Sequence, residues 1–217
     1  MRRMFGLLLA SLLAAAPVGA AMAADGGNQD MLPPDKLVKQ TTEKVLGQLR
    51  ERQSEIKQDP TIAYDIVRKV VLPHFDFPLI SRFVLGRNWN TASSEQRQAF
   101  MNAFKTLLIR TYGTSLAEYS GQKVEYLPMQ SDPSNGRVIV RTKITQADGP
   151  PIPMDYRLHR TDQGWKVFDV TVEGASYVQT YRSEYSTVVA SKGIDGLIQQ
   201  LQEKVSQKQA PKPPNEQ

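Results

Sequence analysis

Apolar residues recur at helical spacing through the first half of the chain, alternate for about fifty residues, then return to helical spacing. A first helix is predicted from Pro33-Pro34, because proline suits the opening turn, and Leu37, Val38, Val45, Leu46 and Leu49 follow near the helical period. Asp59-Pro60 caps a second helix, with Ala63, Ile66, Val67, Val70 and Val71 on one side and Pro73 as its stop. Asp76 caps a short third helix carrying Leu79, Ile80, Phe83 and Val84, and Gly86 stands where a C-terminal glycine belongs. Ser93-x-x-Gln96 is a capping box that opens a fourth helix. Phe100, Phe104, Leu107, Leu108 and Tyr112 give that helix one broad apolar face, and Gly113 is expected to bend it before Leu116 and Tyr119.

Four strands are predicted next, over Lys123 to Leu127, Arg137 to Thr145, Met154 to Arg160 and Trp165 to Glu173. Asp132-Pro133-Ser134-Asn135-Gly136, Asp148-Gly149-Pro150-Pro151 and Asp162-Gln163-Gly164 between them favour hairpins, so the strands should form an antiparallel meander. Val138, Val140 and Ile144 share one face of the second strand, and Met154, Tyr156 and Leu158 alternate with Asp155, Arg157 and His159 in the third. Strict alternation along the last strand places Trp165 and Val167 on one face and Phe168, Val170 and Val172 on the other. Two closing helices follow, one with Tyr177, Tyr181, Tyr185, Val188 and Val189, the other with Ile194, Leu197, Ile198, Leu201 and Val205. Helices, then strands, then helices make an α+β fold.

The ends have a different composition. Arg2 and Arg3 precede the apolar run Met4 to Leu13, and Ala21-Met22-Ala23 offers a small-x-small cleavage pattern, so residues 1–23 read as a signal peptide. The run is shorter than the roughly 20 apolar residues that span a bilayer. No Cys precedes the expected cleavage point, so no lipid anchor is expected there. Residues 24–31 form a flexible mature N-terminus, residues 32–206 one domain, and residues 207–217, which hold nothing apolar larger than Ala or Pro, a disordered tail. Removing two arginines lowers the formal charge from +5 to +3, and the basic residues are scattered, so no nucleic-acid footprint is present. The chain has no cysteine, and its core must hold without disulfides.

Catalytic chemistry is poorly supported. His74 and His159 stand in different elements, no Walker loop or G-x-S-x-G elbow occurs, and Asp65, Asp76, Asp155 and Asp169 show no pairing. No metal or cofactor is implied. The large apolar side chains on helices facing a sheet fit a packed core or a lined cavity equally, since periodicity alone cannot separate the two.

Three blocks carry a resemblance. They are Phe83-Val84-Leu85-Gly86-Arg87-Asn88-Trp89 running on to Tyr112-Gly113, Gly164 to Ser176, and Tyr181-Arg182-Ser183-Glu184-Tyr185 with Lys192 to Ile198. In order and spacing they resemble the MlaC family, periplasmic phospholipid-binding proteins of the Mla pathway, also called the toluene-tolerance family. The resemblance implies a single α+β domain, a strongly bent antiparallel sheet of about four strands packed against several helices around an apolar lipid cavity. It implies a monomeric periplasmic carrier, not an enzyme, that contacts two membrane complexes transiently. These are an outer-membrane lipoprotein–porin complex and an inner-membrane transporter of the ATP-binding-cassette type. With the apolar faces it nominates Val84, Trp89, Phe104, Leu108, Val140, Met154, Tyr156, Leu158, Val167 and Tyr181 as lipid-binding residues. Tyr112 and Ala175 match cavity-mouth positions of the family pattern, with Ala175 smaller than the Val many members have. The competing reading is a periplasmic chaperone or adaptor with a packed core.

Overall fold

The computed structural model describes residues 31–145 and 149–206. The predicted signal peptide, residues 24–30, the turn residue Asp148 and the C-terminal tail lie outside the described residues. Helix α1 (Pro34–Glu51) buries Leu37, Val38, Val45 and Leu49, the face the spacing predicts. Two short helices follow, α2 (Gln53–Gln58) and α3 (Thr61–Ile66). The expected regular helix up to Pro73 is not found. The chain widens into a π turn over Val67–Val71 and tightens into a 3-10 turn over Leu72–His74. Proline has no N–H and crowds the carbonyl four residues back, so an unbroken α-ladder cannot reach it.

Asp76 accepts a hydrogen bond from the Leu79 N–H at 3.0 Å and opens α4 (Phe77–Leu85), which Gly86 closes. A single turn, α5 (Asn88–Thr91), leads to α6 (Ser94–Ala117), whose capping box has both reciprocal bonds between Ser93 and Gln96. Helix α6 runs through Gly113 without a break. Gly113 serves a close approach instead, because a Cβ there would stand 2.4 Å from the Tyr64 ring of α3.

The sheet has five antiparallel strands in sequence order, one more than expected: β1 (Lys123–Tyr126), β2 (Arg137–Thr145), β3 (Ile152–Thr161), β4 (Gly164–Val172) and β5 (Ala175–Ser176). Strand β5 has two residues, too few to show alternation. It is joined to β4 by Glu173 (φ 51°) and Gly174 (φ 86°), the paired positive φ of a tight hairpin turn. Register also corrects the faces of β4. Leu158 pairs with Val167 but Arg157 pairs with Asp169, so Phe168 is an extra residue opposite β3. That bulge restores the phase, and Val170, paired with Tyr156, and Val172, paired with Met154, return to the face of Trp165 and Val167.

The free edge of β4 is covered where Phe75 bridges to Val167 and the Asp76 N–H donates to the Val167 carbonyl at 2.9 Å. The two predicted closing helices form α7 (Tyr177–Ser206), broken at Gly193, whose φ of 71° and ψ of 179° are not helical. Helices α4, α6 and α7 share one core cluster around Phe100, Phe104, Tyr185 and Leu197. Helix α1 lies with Val138, Val140, Leu158, Trp165 and Val167 of the sheet in a second.

Candidate functional site: an apolar cavity

An apolar cavity of about 230 Å³ lies between the sheet and the helices. Helix α4 supplies Phe77, Ile80 and Val84, which recur at three and four residues and so share a face. Helix α6 adds Phe104, Leu108, Ile109, Tyr112 and Leu116, and α7 adds Tyr177, Val178 and Tyr181. Met154 and Tyr156 of β3 and Asp169 and Val170 of β4 form the sheet side. The irregular turns before α4 close it with Val67, Val71, Leu72 and Phe75.

Aromatic rings stiffen this wall. Phe104 meets Tyr181 edge-on at 5.0 Å, and Tyr112 stacks on Tyr177 at 5.4 Å. The phenols are held neutral. Burial pushes the Tyr156 hydroxyl up to about 12. Burial, with neighbouring phenols added, pushes Tyr112 well above its ordinary range, and burial does the same first of all for Tyr181 and Tyr185. Asp169 is the lining carboxylate, and the protein occupies both its oxygens. Ser176 Oγ donates to Oδ2 at 2.7 Å and the Val178 N–H donates to Oδ1 at 3.2 Å. The group ties β4 to the start of α7 instead of facing a ligand unpartnered.

Seven of the twelve nominated residues meet here: Val84, Phe104, Leu108, Tyr112, Met154, Tyr156 and Tyr181. Val140, Leu158 and Val167 do not line the cavity. They belong to the same sheet face, but α1 covers that end with Leu37 and Val38. Trp89 also stands outside it, on α5 beneath the Arg97 guanidinium at 5.2 Å, with its carbonyl accepting from Arg97 Nε at 2.9 Å. Ala175 is exposed in β5, two residues before the lining Tyr177. Sequence reading did not nominate Val67 and Val71, which it placed on the apolar side of the second helix, or Leu72 and Phe75, to which it gave no direction. It also missed Val170, which the bulge turns inward, and Ile109, Tyr177 and Val178, which stand beside nominated positions.

His159 and Asp76, apart in sequence, pair at 2.8 Å between Nε2 and Oδ2, but the other Asp76 oxygen caps α4, so the pair straps β3 to that helix. Among the described residues no cluster of His, Asp and Glu could hold a metal ion. Among them, too, no helix is long and apolar enough to cross a membrane.

The sequence pattern of the MlaC protein family matches residues 39–203. The chain is 30% identical to the intermembrane phospholipid transport system binding protein MlaC of Haemophilus influenzae over 177 residues, 80% of this chain and 83% of that protein. It is 30% identical to the toluene tolerance protein ttg2D of Pseudomonas putida over 163 residues, 75% of each. Its fold is similar to that of a phospholipid-binding protein of Ralstonia solanacearum, solved in complex with a phospholipid. The TM-score is 0.76 at 30% identity, covering 81% of this chain and 98% of that one.

Proposed function

This chain belongs to the MlaC family, and from that premise we propose that it is a soluble carrier of phospholipid between two membranes, with the acyl tails sheltered in the cavity. The observation that carries the reading is the cavity itself. Its wall is mostly apolar, its phenols are neutral and the oxygens of its one carboxylate, Asp169, are already bonded, in a fold similar to one solved in complex with a phospholipid. Each methylene withdrawn from water is worth about 0.8 kcal/mol. A two-tailed lipid with roughly 30 methylenes therefore resists leaving a bilayer by on the order of 24 kcal/mol. A carrier must offer nearly equal shelter for transfer to proceed, and neutral phenols among aliphatic side chains are the uncharged surface that such shelter calls for.

The finer reading places the carrier in the periplasm, exchanging lipid with outer- and inner-membrane complexes of one transport system. The lining residues Val84, Phe104, Leu108, Tyr112, Met154, Tyr156 and Tyr181 are proposed to touch the tails, with the exposed Ala175 beside the entrance. Native mass spectrometry of gently purified mature protein is expected to show phospholipid adducts. Unliganded protein alone, even after incubation with liposomes, would return the chain to the adaptor reading. Photo-crosslinkers at Leu108 or Tyr156 should label lipid, while one at Lys44 of α1 should not.

A further inference from the structure

A second concavity, of about 520 Å³, lies on the other side of α7 from the lipid cavity, and its character is opposite. Arg182, Ser183 and Ser186 stand three, four and seven residues on from Gln179, so the four form one stripe along α7. Arg87 and Asn88 face them from the turn between α4 and α5. The cavity and the groove share a wall: Val84 and Tyr181 line the first, and their neighbours Leu85 and Arg182 line the second. A lipid held in the cavity is therefore separated from the groove by the helix itself.

Arg82, Arg97, Arg110 and Arg160 all lie elsewhere, and two arginines in this groove set it apart. Among the described residues neither Arg87 nor Arg182 has a side-chain hydrogen bond or ion pair, a state they share with Arg50, Arg82 and Arg137, whereas Arg52, Arg68, Arg141 and Arg157 each lie within 4.0 Å of a carboxylate. Arg182 is nonetheless seated. Its guanidinium lies against Gly86, where a Cβ would stand only 3.0 Å from its Nε, and the positive φ of 56° also calls for glycine. The turn that ends α4 thus makes room for this side chain. The segments 83–89 and 181–185, two of those that carry the family resemblance, meet at this groove, and Arg87, Asn88, Arg182 and Ser183 within them do not line the cavity.

We infer that this groove is the docking site for an acidic segment of a partner protein, a membrane-bound component of the same transport system. Two guanidinium forks with hydroxyl and amide groups beside them match carboxylates in charge and in hydrogen-bonding geometry. Concavity selects a protein over a bilayer, because a near-flat plane of headgroups cannot enter a groove while a carboxylate side chain standing off a protein surface can. The position suits a carrier: the partner grips the outer stripe of α7, leaving the cavity on the other side unobstructed.

The inference rests on the carrier reading, and one experiment separates the two. Full-length exported protein, wild type, Arg87→Glu and Arg182→Glu, is measured against the inner- and outer-membrane complexes of its own transport system in neutral phosphatidylcholine nanodiscs. Bound phospholipid is quantified in the same samples. The expected result is binding to at least one complex that each reversal weakens about tenfold or more, more steeply at low salt, with lipid occupancy unchanged. Unchanged binding in both variants, or no binding by the wild type to either complex, overturns the docking site. So does an equal loss of binding to protein-free phosphatidylglycerol vesicles, which would assign the groove to a membrane, or full competition by inorganic phosphate, which would assign it to a small anion. A wild type without lipid overturns the carrier reading instead. Should Arg182→Glu fail to fold, as its melting curve would show, Arg87→Glu and Ser186→Glu, both at exposed positions, carry the same test.

Discussion

Gly113 has no room for a side chain, because Tyr64 packs across α6 at that point and then donates to or accepts from Thr114 Oγ1 at 3.0 Å. Gly113→Val is expected to cost about 1–3 kcal/mol, since one ring or one helix must shift. Shortening the partner, Tyr64→Ala, should make the same substitution far less costly, and a double-mutant cycle followed by urea unfolding would read the coupling. Additive effects would mean that Gly113 serves something other than this contact. At Ala175 the expectation is the reverse, because the residue is exposed and a carboxylate there can turn to water. Ala175→Glu should melt like the wild type yet lose co-purifying lipid, as a charge beside the proposed entrance would penalise tails only while they enter. Full lipid occupancy would remove Ala175 from the entrance.

At the scale of elements, the capped helices and the hairpins were legible because each boundary is chemistry in the sequence: Asp76 before α4, Ser93 and Gln96 at α6, Gly136 and Gly164 at turns. What could not be read was anything that changes phase inside an element. The bulge at Phe168 has no residue signature, so strict alternation puts Val170 and Val172 on the wrong face, and the π turn over Val67–Val71 breaks a helix that the spacing predicts as regular. Contacts between distant elements were equally hidden, which is why α1 covering Val140, Leu158 and Val167 removed three nominated residues from the cavity. Two substitutions test how firmly the elements are joined. Asp169→Ala removes the acceptor of the buried Val178 N–H and of Ser176, and should destabilise by about 1–3 kcal/mol in denaturant unfolding. Gly193→Ala places a Cβ where φ is 71° and ψ 179°, a region nearly confined to glycine, and should cost about 1–3 kcal/mol. A neutral result there would mean that α7 can straighten through the break.

For the molecule as a whole, the buried phenols set an alkaline limit. The Tyr156 hydroxyl rises from 10.0 to about 12 on folding, and Tyr112, Tyr181 and Tyr185 rise as well. Between the unfolded and folded values the unfolded chain binds fewer protons, so stability falls as pH rises. Urea midpoints should be flat with respect to these groups below about pH 10, then decline towards pH 12, with tyrosine ultraviolet absorbance changing in step with unfolding. Phenolate signals from a fully folded protein near pH 10 equal in number to all the tyrosines would contradict the burial.

The largely apolar character of the cavity wall has a consequence for the physiology of the cell that makes it. Dispersion contacts carry no directional code, and the phenol hydroxyls of the wall find nothing to bond on a hydrocarbon chain, so the wall can measure the bulk of a tail but cannot read where a double bond or a methyl branch lies. An organism that remodels its fatty acids as the temperature of its surroundings changes would not need a second carrier for each season's lipids.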